Sequence, residues 1–443
     1  MLPVLAWAHG RMTVPRRGGS MAIDRLLCGL VCAFVAQGWP VVRPQDFGAV
    51  GDGVHDDTAA MNASIAHCRS AGGCDIVLDG GVFLTGPLTL PSPHARVYIS
   101  ANSTLRAAPK SVWKAAGWRS PGFLNGDGLL NVTIAGPGTI DGAGPAWWNA
   151  THDDLHYRPH LIKLRNATRL TIDGVRLLDA PNHNVMLQDC SAVRVRALRV
   201  YAPAGSPNTD GINFAGGTDQ MIADSHISNG DDCVSIVCGE STKGPLPGAD
   251  MGARAASRLQ SKPFPYGGNV VVSNVTCVNG HGVSIGSVRR GVVRNVTVEH
   301  VTFWDSKNAA RIKTYPNNTG LVSGIVYRNI TLHRVHGPNA ILIDGKYCPK
   351  SQRPYPCPAG AHSVRIEDVS FEGVHGDVVC ADDGAVGNFN CSALVPCTAI
   401  RLQDISVQCV PNTTSAQFQC SHIAGPAAVN VQPTSCLNAS EPS

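Results

Sequence analysis

Four short stretches carry side chains able to do chemistry on a polar substrate: Asn208-Thr209-Asp210-Gly211, Gly230-Asp231-Asp232-Cys233, Gly280-His281-Gly282 and Arg311-Ile312-Lys313. Together they offer three carboxylates, an imidazole and two fixed cations. Three unpaired carboxylates held close repel one another and raise at least one pKa, the condition for a general acid beside a general base. Two cations next to them would hold an anionic group. Taken singly, none of these signals is specific. Asp-Gly is an ordinary turn, an aspartate pair can be solvated, and Arg-x-Lys on a strand is often only an exposed face. The four occur in one order, however, and Asp210 and Asp231 lie 21 residues apart.

That spacing matters because of the elements around it. Short segments of alternating apolar and polar residues recur, often opened by Asn: Asn131-Val132-Thr133-Ile134, Arg169-Leu170-Thr171-Ile172, Val193 to Val200, Asn269-Val270-Val271-Val272, Asn295-Val296-Thr297-Val298, Asn329-Ile330-Thr331-Leu332, Val364 to Phe371 and Ile400 to Val407. Period-2 alternation rich in β-branched residues predicts strands. Repeats spaced in the twenties and thirties are those of a solenoid, and no 3.6-residue period fills the gaps. The pattern predicts an all-β chain folded as a right-handed parallel β-helix, with Asn side chains stacked as a ladder serving backbone groups at the corners. The segment Asp56–Cys68 is the one good amphipathic helix, placed to cap the open N-terminal end.

Neighbouring coils stack ~4.7–4.9 Å apart, so the three carboxylates are expected on one face. For both Asp231 and Asp232 to reach that face the backbone must bend, and Gly230 is expected to supply the freedom. Arg311 and Lys313 share a face while Ile312 points inward.

Composition narrows the class. The chain has 443 residues, of which only 15% are charged, against about 25% in an average domain, so long solvated helices are not expected. With 47 Gly and 30 Pro it is rich in turns. The net charge of +4 comes without a Lys/Arg run, which disfavours nucleic acid as a partner and leaves a polyanion open. The apolar run Leu26 to Gln37 is too short to span a membrane but suits a secretory signal, and Met21 is a plausible start. Residues 1–39 are therefore read as a targeting segment and 40–443 as a single catalytic domain. Losing Cys28 and Cys32 with the signal leaves an even number of the 16 cysteines, as a disulfide framework requires. N-x-[ST] sequons at Asn131, Asn166, Asn274, Asn295 and Asn329 suit a glycosylated, extracellular protein.

The four polar stretches resemble those of the polygalacturonase family, glycoside hydrolases (family 28 type) that cut pectin on a right-handed parallel β-helix. Asp46 to Asp57 and Asp141 to Trp148 are also similar, and the resemblance spans Val42 to Cys436. It implies inverting, metal-independent hydrolysis of α-1,4-galacturonosyl linkages. Asp231 would be the acid, Asp210 and Asp232 would hold and activate water, and His281 would maintain the acid's ionisation. Arg311 and Lys313 would bind the galacturonate carboxylate, Tyr347 would contact substrate, and Asn208 would shape the site. No cofactor or metal is implied, and a capped solenoid is expected to be a monomer acting on cell-wall pectin. In the family Cys233 and Cys277 are commonly bridged; local bridges Cys68–Cys74 and Cys348–Cys357 are expected too.

Two departures stand out. Asp232 and His281 are 49 residues apart, about two coils where the family usually has one, and the excess, Glu240 to Tyr266, reads as an inserted loop that would wall off the cleft end and favour exo attack. Arg289 and Arg290 follow the Gly282 strand and would form a further carboxylate subsite. A rhamnogalacturonan or xylogalacturonan hydrolase, a calcium-dependent lyase and a non-catalytic pectin-binding solenoid are the competing readings. Neutral rhamnose would leave the Arg311/Lys313 pair without a carboxylate, and an inactive relative would be expected to lack Asp231 or Asp232.

Overall fold

The computed structural model describes residues 38–119, 122–149, 157–238, 265–336, 339–349, 355–357, 360–380, 383–411 and 416–438. Among these, each strand pairs in parallel with the strand one coil earlier and one coil later, and the succession winds into a right-handed parallel β-helix. The strands used below are β1 (Val185–Arg196), β2 (Ile212–Asn229), β3 (Val234–Val237), β4 (Tyr266–Asn279), β5 (Val283–Val288), β6 (Gly291–Trp304) and β7 (Ala310–Thr314).

The alternation in the sequence becomes the inside and outside of the coil. Leu187, Phe214, Ile236, Ile285, Ile312, Ile343 and Phe389 stand in one register column and are all buried. Aromatic rings continue such stacks toward the C-terminal end. Tyr327 lies on Phe371 with centroids 5.4 Å apart, and Phe389 on Phe418 at 6.0 Å. Each inward side chain packs on the equivalent one of the next coil, so burial grows with every coil added.

The corners are left-handed. Asn131, Asn166, Asn274, Asn295 and Asn329 have φ between 49° and 56°, a region that Asn tolerates better than most residues. The expected ladder exists, but its amides bond side chains of the preceding coil rather than backbone. Asn274 donates to Asp224 at 2.7 Å, Asn166 to Asp127 at 2.7 Å and Asn295 to Asn269 at 3.2 Å.

The capping helix α1 spans Thr58–Ser70, two residues later than the sequence suggests. Both aspartates at the expected start are engaged elsewhere. Asp57 accepts the backbone N–H groups of Val50 and Gly51 at 2.7 and 3.1 Å, and Asp56 accepts that of Thr58 at 2.9 Å. Met61, Ile65 and Cys68 on one face of α1 are buried against the first coils.

Pro40–Ser443 forms one compact unit; the targeting segment, apart from Gly38 and Trp39, lies outside the described residues. So does all of the insertion except Pro265 and Tyr266, and Tyr266 already belongs to β4. Its excess length adds no coil: Val234 pairs directly with Val283, and Asn229 with Asn279. Among the described residues six disulfides are formed, including the three anticipated ones, Cys68–Cys74, Cys233–Cys277 and Cys348–Cys357. An even count did not mean complete pairing, because Cys190 and Cys238 are free thiols. Cys190 points into the core and Cys238 donates to the Arg290 carbonyl at 2.8 Å.

Candidate active site

Strand register assembles the site. Ile212, Val234, Val283 and Ala310 pair in succession on adjacent coils. Two residues before each lie Asp210, Asp232, His281 and Asn308, with His183 in the same place before Val185 on the coil below. Asp232 rather than Asp231 therefore stands opposite Asp210, and Gly211 N–H donates to the Asp232 carbonyl at 2.9 Å. The bend at Gly230 is a matter of space. A Cβ there would lie 2.1 Å from the Ser206 carbonyl oxygen, and no left-handed φ is involved.

Asp232 is buried and its charge is matched from two sides. One oxygen accepts from Arg311 Nη2 at close range and from Ser284 Oγ at 3.0 Å, and the other accepts from Lys313 Nζ at 2.9 Å. Arg311 is fixed in turn by Ser284 Oγ at 2.9 Å and Asn308 Oδ1 at 3.2 Å. The two cations share a face, as strand alternation requires, with Ile312 inside. They turn onto Asp232 instead of standing free in the cleft.

Asp231 is more open than Asp232, its side chain 24% exposed against 4%. Its Oδ1 lies 2.9 Å from His281 Nδ1 and accepts the Asp232 N–H at 2.8 Å. Burial pushes the Asp231 carboxyl up, but the His281 hydrogen bond and charge, aided by Lys313, outweigh it and hold the pKa at about 2. The three carboxylates thus do not raise this one by mutual repulsion, because they are not unpaired: each has its own cationic or imidazole partner.

Asp210 is buried, and its partner is a residue that motif reading missed. His183 Nδ1 lies 2.9 Å from Asp210 Oδ1. Burial pushes the His183 pKa down, yet the charges of Asp210, Asp231 and Asp232 and the Asp210 contact raise it overall. His160 stacks flat beneath at 4.8 Å between centroids, and burial together with the His183 charge depresses it to about 2. The lower ring is therefore a neutral platform for the upper one. Ser284 and Asn308 were also missed. The signal for all three was their column, one coil away from a recognised residue.

Tyr347 is half-buried beside the cations, its ring 5.5 Å from Lys313 Nζ and its N–H donating to Thr314 O at 3.0 Å. Burial pushes its hydroxyl pKa up. Arg289 lies over the Tyr315 ring at 4.1 Å, and Tyr315 meets Tyr347 edge-on at 5.6 Å. Asn208 is exposed, with φ 53°, on the turn before Asp210. Its side chain makes no hydrogen bond to the carboxylates among the described residues.

Asp231, Asp232 and His281 bring potential ligand atoms within 4.8 Å of one another. The donor set fits a metal poorly. Both Asp232 oxygens face cations, and a further positive charge would meet Arg311 and Lys313 at once. The arrangement is an ion-pair network with one partly exposed carboxyl at its mouth, capable of proton transfer to a bound polar group.

The family model of glycosyl hydrolases family 28 matches residues 68–435. A polygalacturonase of Prunus persica is 31% identical over 403 residues, covering 88% of this chain and 92% of its own. A probable polygalacturonase of Arabidopsis thaliana is 31% identical over 410 residues, covering 89% and 80%. Among solved structures, a Yersinia enterocolitica family 28 exopolygalacturonase superposes with a TM-score of 0.67 at 16% identity, covering 89% of this chain and 79% of its own. The Erwinia carotovora polygalacturonase gives 0.64 at 23% identity, covering 88% and 97%. With the family signature running through every coil that carries the site, this chain is a glycoside hydrolase and belongs to glycosyl hydrolases family 28.

Proposed function

We propose that the chain is a secreted polygalacturonase that hydrolyses α-1,4-galacturonosyl linkages of de-esterified pectin with inversion at the anomeric carbon. The observation that carries this is the division of labour between two adjacent carboxylates at one turn. Asp232 is buried and neutralised by Arg311 and Lys313, while Asp231 is open and bonded to His281. The proton needed by the leaving glycosidic oxygen is shared by the Asp231–His281 pair, whose Oδ1 and Nδ1 lie 2.9 Å apart. His281 thus returns a proton to a carboxyl that its own hydrogen bond and charge hold at a pKa of about 2. Asp210, held by His183, and Asp232 draw the proton from the attacking water, as paired carboxylates do in inverting enzymes. Lys313, beside Tyr347, offers its remaining N–H donors to a substrate carboxylate.

Six disulfides fit an oxidising compartment, in keeping with export and action outside the cell. The test is proton NMR of fresh digests of polygalacturonate. The newly formed reducing end should appear first as the β-anomer, with chelator making no difference. Initial α-anomer, or an unsaturated product, would rule out inverting hydrolysis. Asp231→Asn should slow turnover about 10²–10⁴-fold.

A further inference from the structure

We propose a second, non-catalytic binding site for an anionic oligosaccharide, resting on the reading above that the substrate is a polyuronate. It lies on a different row of strands, in a groove of about 660 Å³ lined by Arg176, Arg199, His226, Tyr201, Leu178 and Ser228 among others. None of the catalytic column lines it.

Register builds the groove. Arg176 pairs with Arg199 and Arg199 with His226, so three basic side chains stack outward on consecutive coils. Two positions on, Leu178, Tyr201 and Ser228 form a parallel outward row. Leu177, Val200 and Ile227 between them point inward and are buried, which fixes both rows to the outside. Tyr201 is 55% exposed, an aromatic face open to solvent.

The charge pattern distinguishes this patch from the rest of the surface. At several other places an outward arginine meets a carboxylate directly opposite on an adjacent coil, and lone arginines such as Arg294, between Gly268 and Ser323, have no second cation facing them. Arg96 pairs with Asp75, Arg106 with Asp141, Arg196 with Asp173 and Arg328 with Glu299. At Arg176 and Arg199 the opposite residue is another cation, an imidazole or Thr139. Among the described residues the side chains of Arg176, Arg199 and His226 form no ion pair or hydrogen bond. Like charges one coil apart, ~4.8 Å, disfavour each other, and an anion between them removes the penalty. Guanidinium pairs take carboxylates in bidentate fashion, and an exposed tyrosine offers its face to a sugar ring. Carboxylates repeating along a chain would match cations repeating along the solenoid. Ser228 precedes Asp231 by only the Asn229–Gly230 turn, so a chain held here lies close to the catalytic coils.

The test is affinity electrophoresis through gels containing polygalacturonate, with the Asp231→Asn protein so that the gel is not digested. Adding Arg176→Ala and Arg199→Ala should raise the apparent Kd about tenfold, and Tyr201→Ala should raise it as well. In the active protein the arginine pair should leave hydrolysis of a soluble galacturonate trisaccharide unchanged, which also reports an intact fold. Arg199→Gln alone, a milder change, should give part of the loss. Unchanged retention in the arginine variants overturns the site. If wild-type protein fails to cut the trisaccharide while retention still falls with the arginines, the catalytic reading fails and the groove stands.

Discussion

Asp232 is buried with one carboxylate oxygen against Arg311 and the other against Lys313. Removing one of its two cations should therefore damage more than substrate contact. Lys313→Ala is expected to lower kcat on polygalacturonate by 10-fold or more as well as to raise KM, because it leaves a buried charge half-matched. A change confined to KM would mean that Lys313 only holds substrate. Asp231 titrates in a low window. Its folded pKa of about 2 lies below that of an unfolded aspartate, so its contribution to stability is complete above about pH 4 and is lost as pH falls toward 2. Thermal melts of Asp231→Asn should show a weaker loss of Tm across that window than the wild type. Much of this site was legible in the sequence. Asp210, Asp231, Asp232, His281, Arg311 and Lys313 announce themselves because polar residues interrupt otherwise apolar strand starts. His183, Ser284 and Asn308 do not, because each looks like ordinary strand or turn polarity until the register of its neighbours is known. The ionisation of Asp231 was not legible at all, since it depends on which of its neighbours is paired with which.

At the scale of elements, the turn before β5 is a tight constraint on the site. Gly282 has φ +73°, and a Cβ there would lie 2.3 Å from the Ala309 carbonyl oxygen and 2.5 Å from that of Asn308. Gly282→Ala should shift His281 against Asn308 and reduce activity at least 10-fold, with a stability loss of about 1–3 kcal/mol. Activity assays and urea titration would show both. A wild-type rate in a fully folded variant would mean that the turn has slack. The period-2 pattern identified the long outer strands well because they have one buried and one solvated face, whereas the site strands β3, β5 and β7 are buried almost throughout. Boundaries were less readable at α1, where Asp56 and Asp57 leave the helix for turn amides. The ladder also differed from expectation. Asn side chains reach the preceding coil's side chain because a left-handed corner points them along the stack.

For the whole molecule, stacking explains why so many disulfides are local. Cys391–Cys397 and Cys68–Cys74 each close a loop only six residues apart in sequence, whereas Cys233–Cys277 and Cys380–Cys409 tie one coil to the next. The two free thiols among the described residues are structural. Burial pushes both Cys190 and Cys238 up to about 11, so iodoacetamide at pH 8 should label neither in the native protein and both after denaturation. Rapid native labelling of Cys238 would show that its contact with the Arg290 carbonyl opens readily.

The pairing of Asp232 with Arg311 and Lys313, 79 and 81 residues further along, has a consequence for synthesis. A ribosome delivers the chain from its N-terminus, and the coil bearing the carboxylates can wind before the cations that neutralise them have emerged. Until two further coils are laid down, Asp232 has no counterion and the nascent solenoid ends on an unmatched charge. The competent site is thus a late product of vectorial folding, and a chain truncated before residue 311 would stack its early coils without becoming an enzyme.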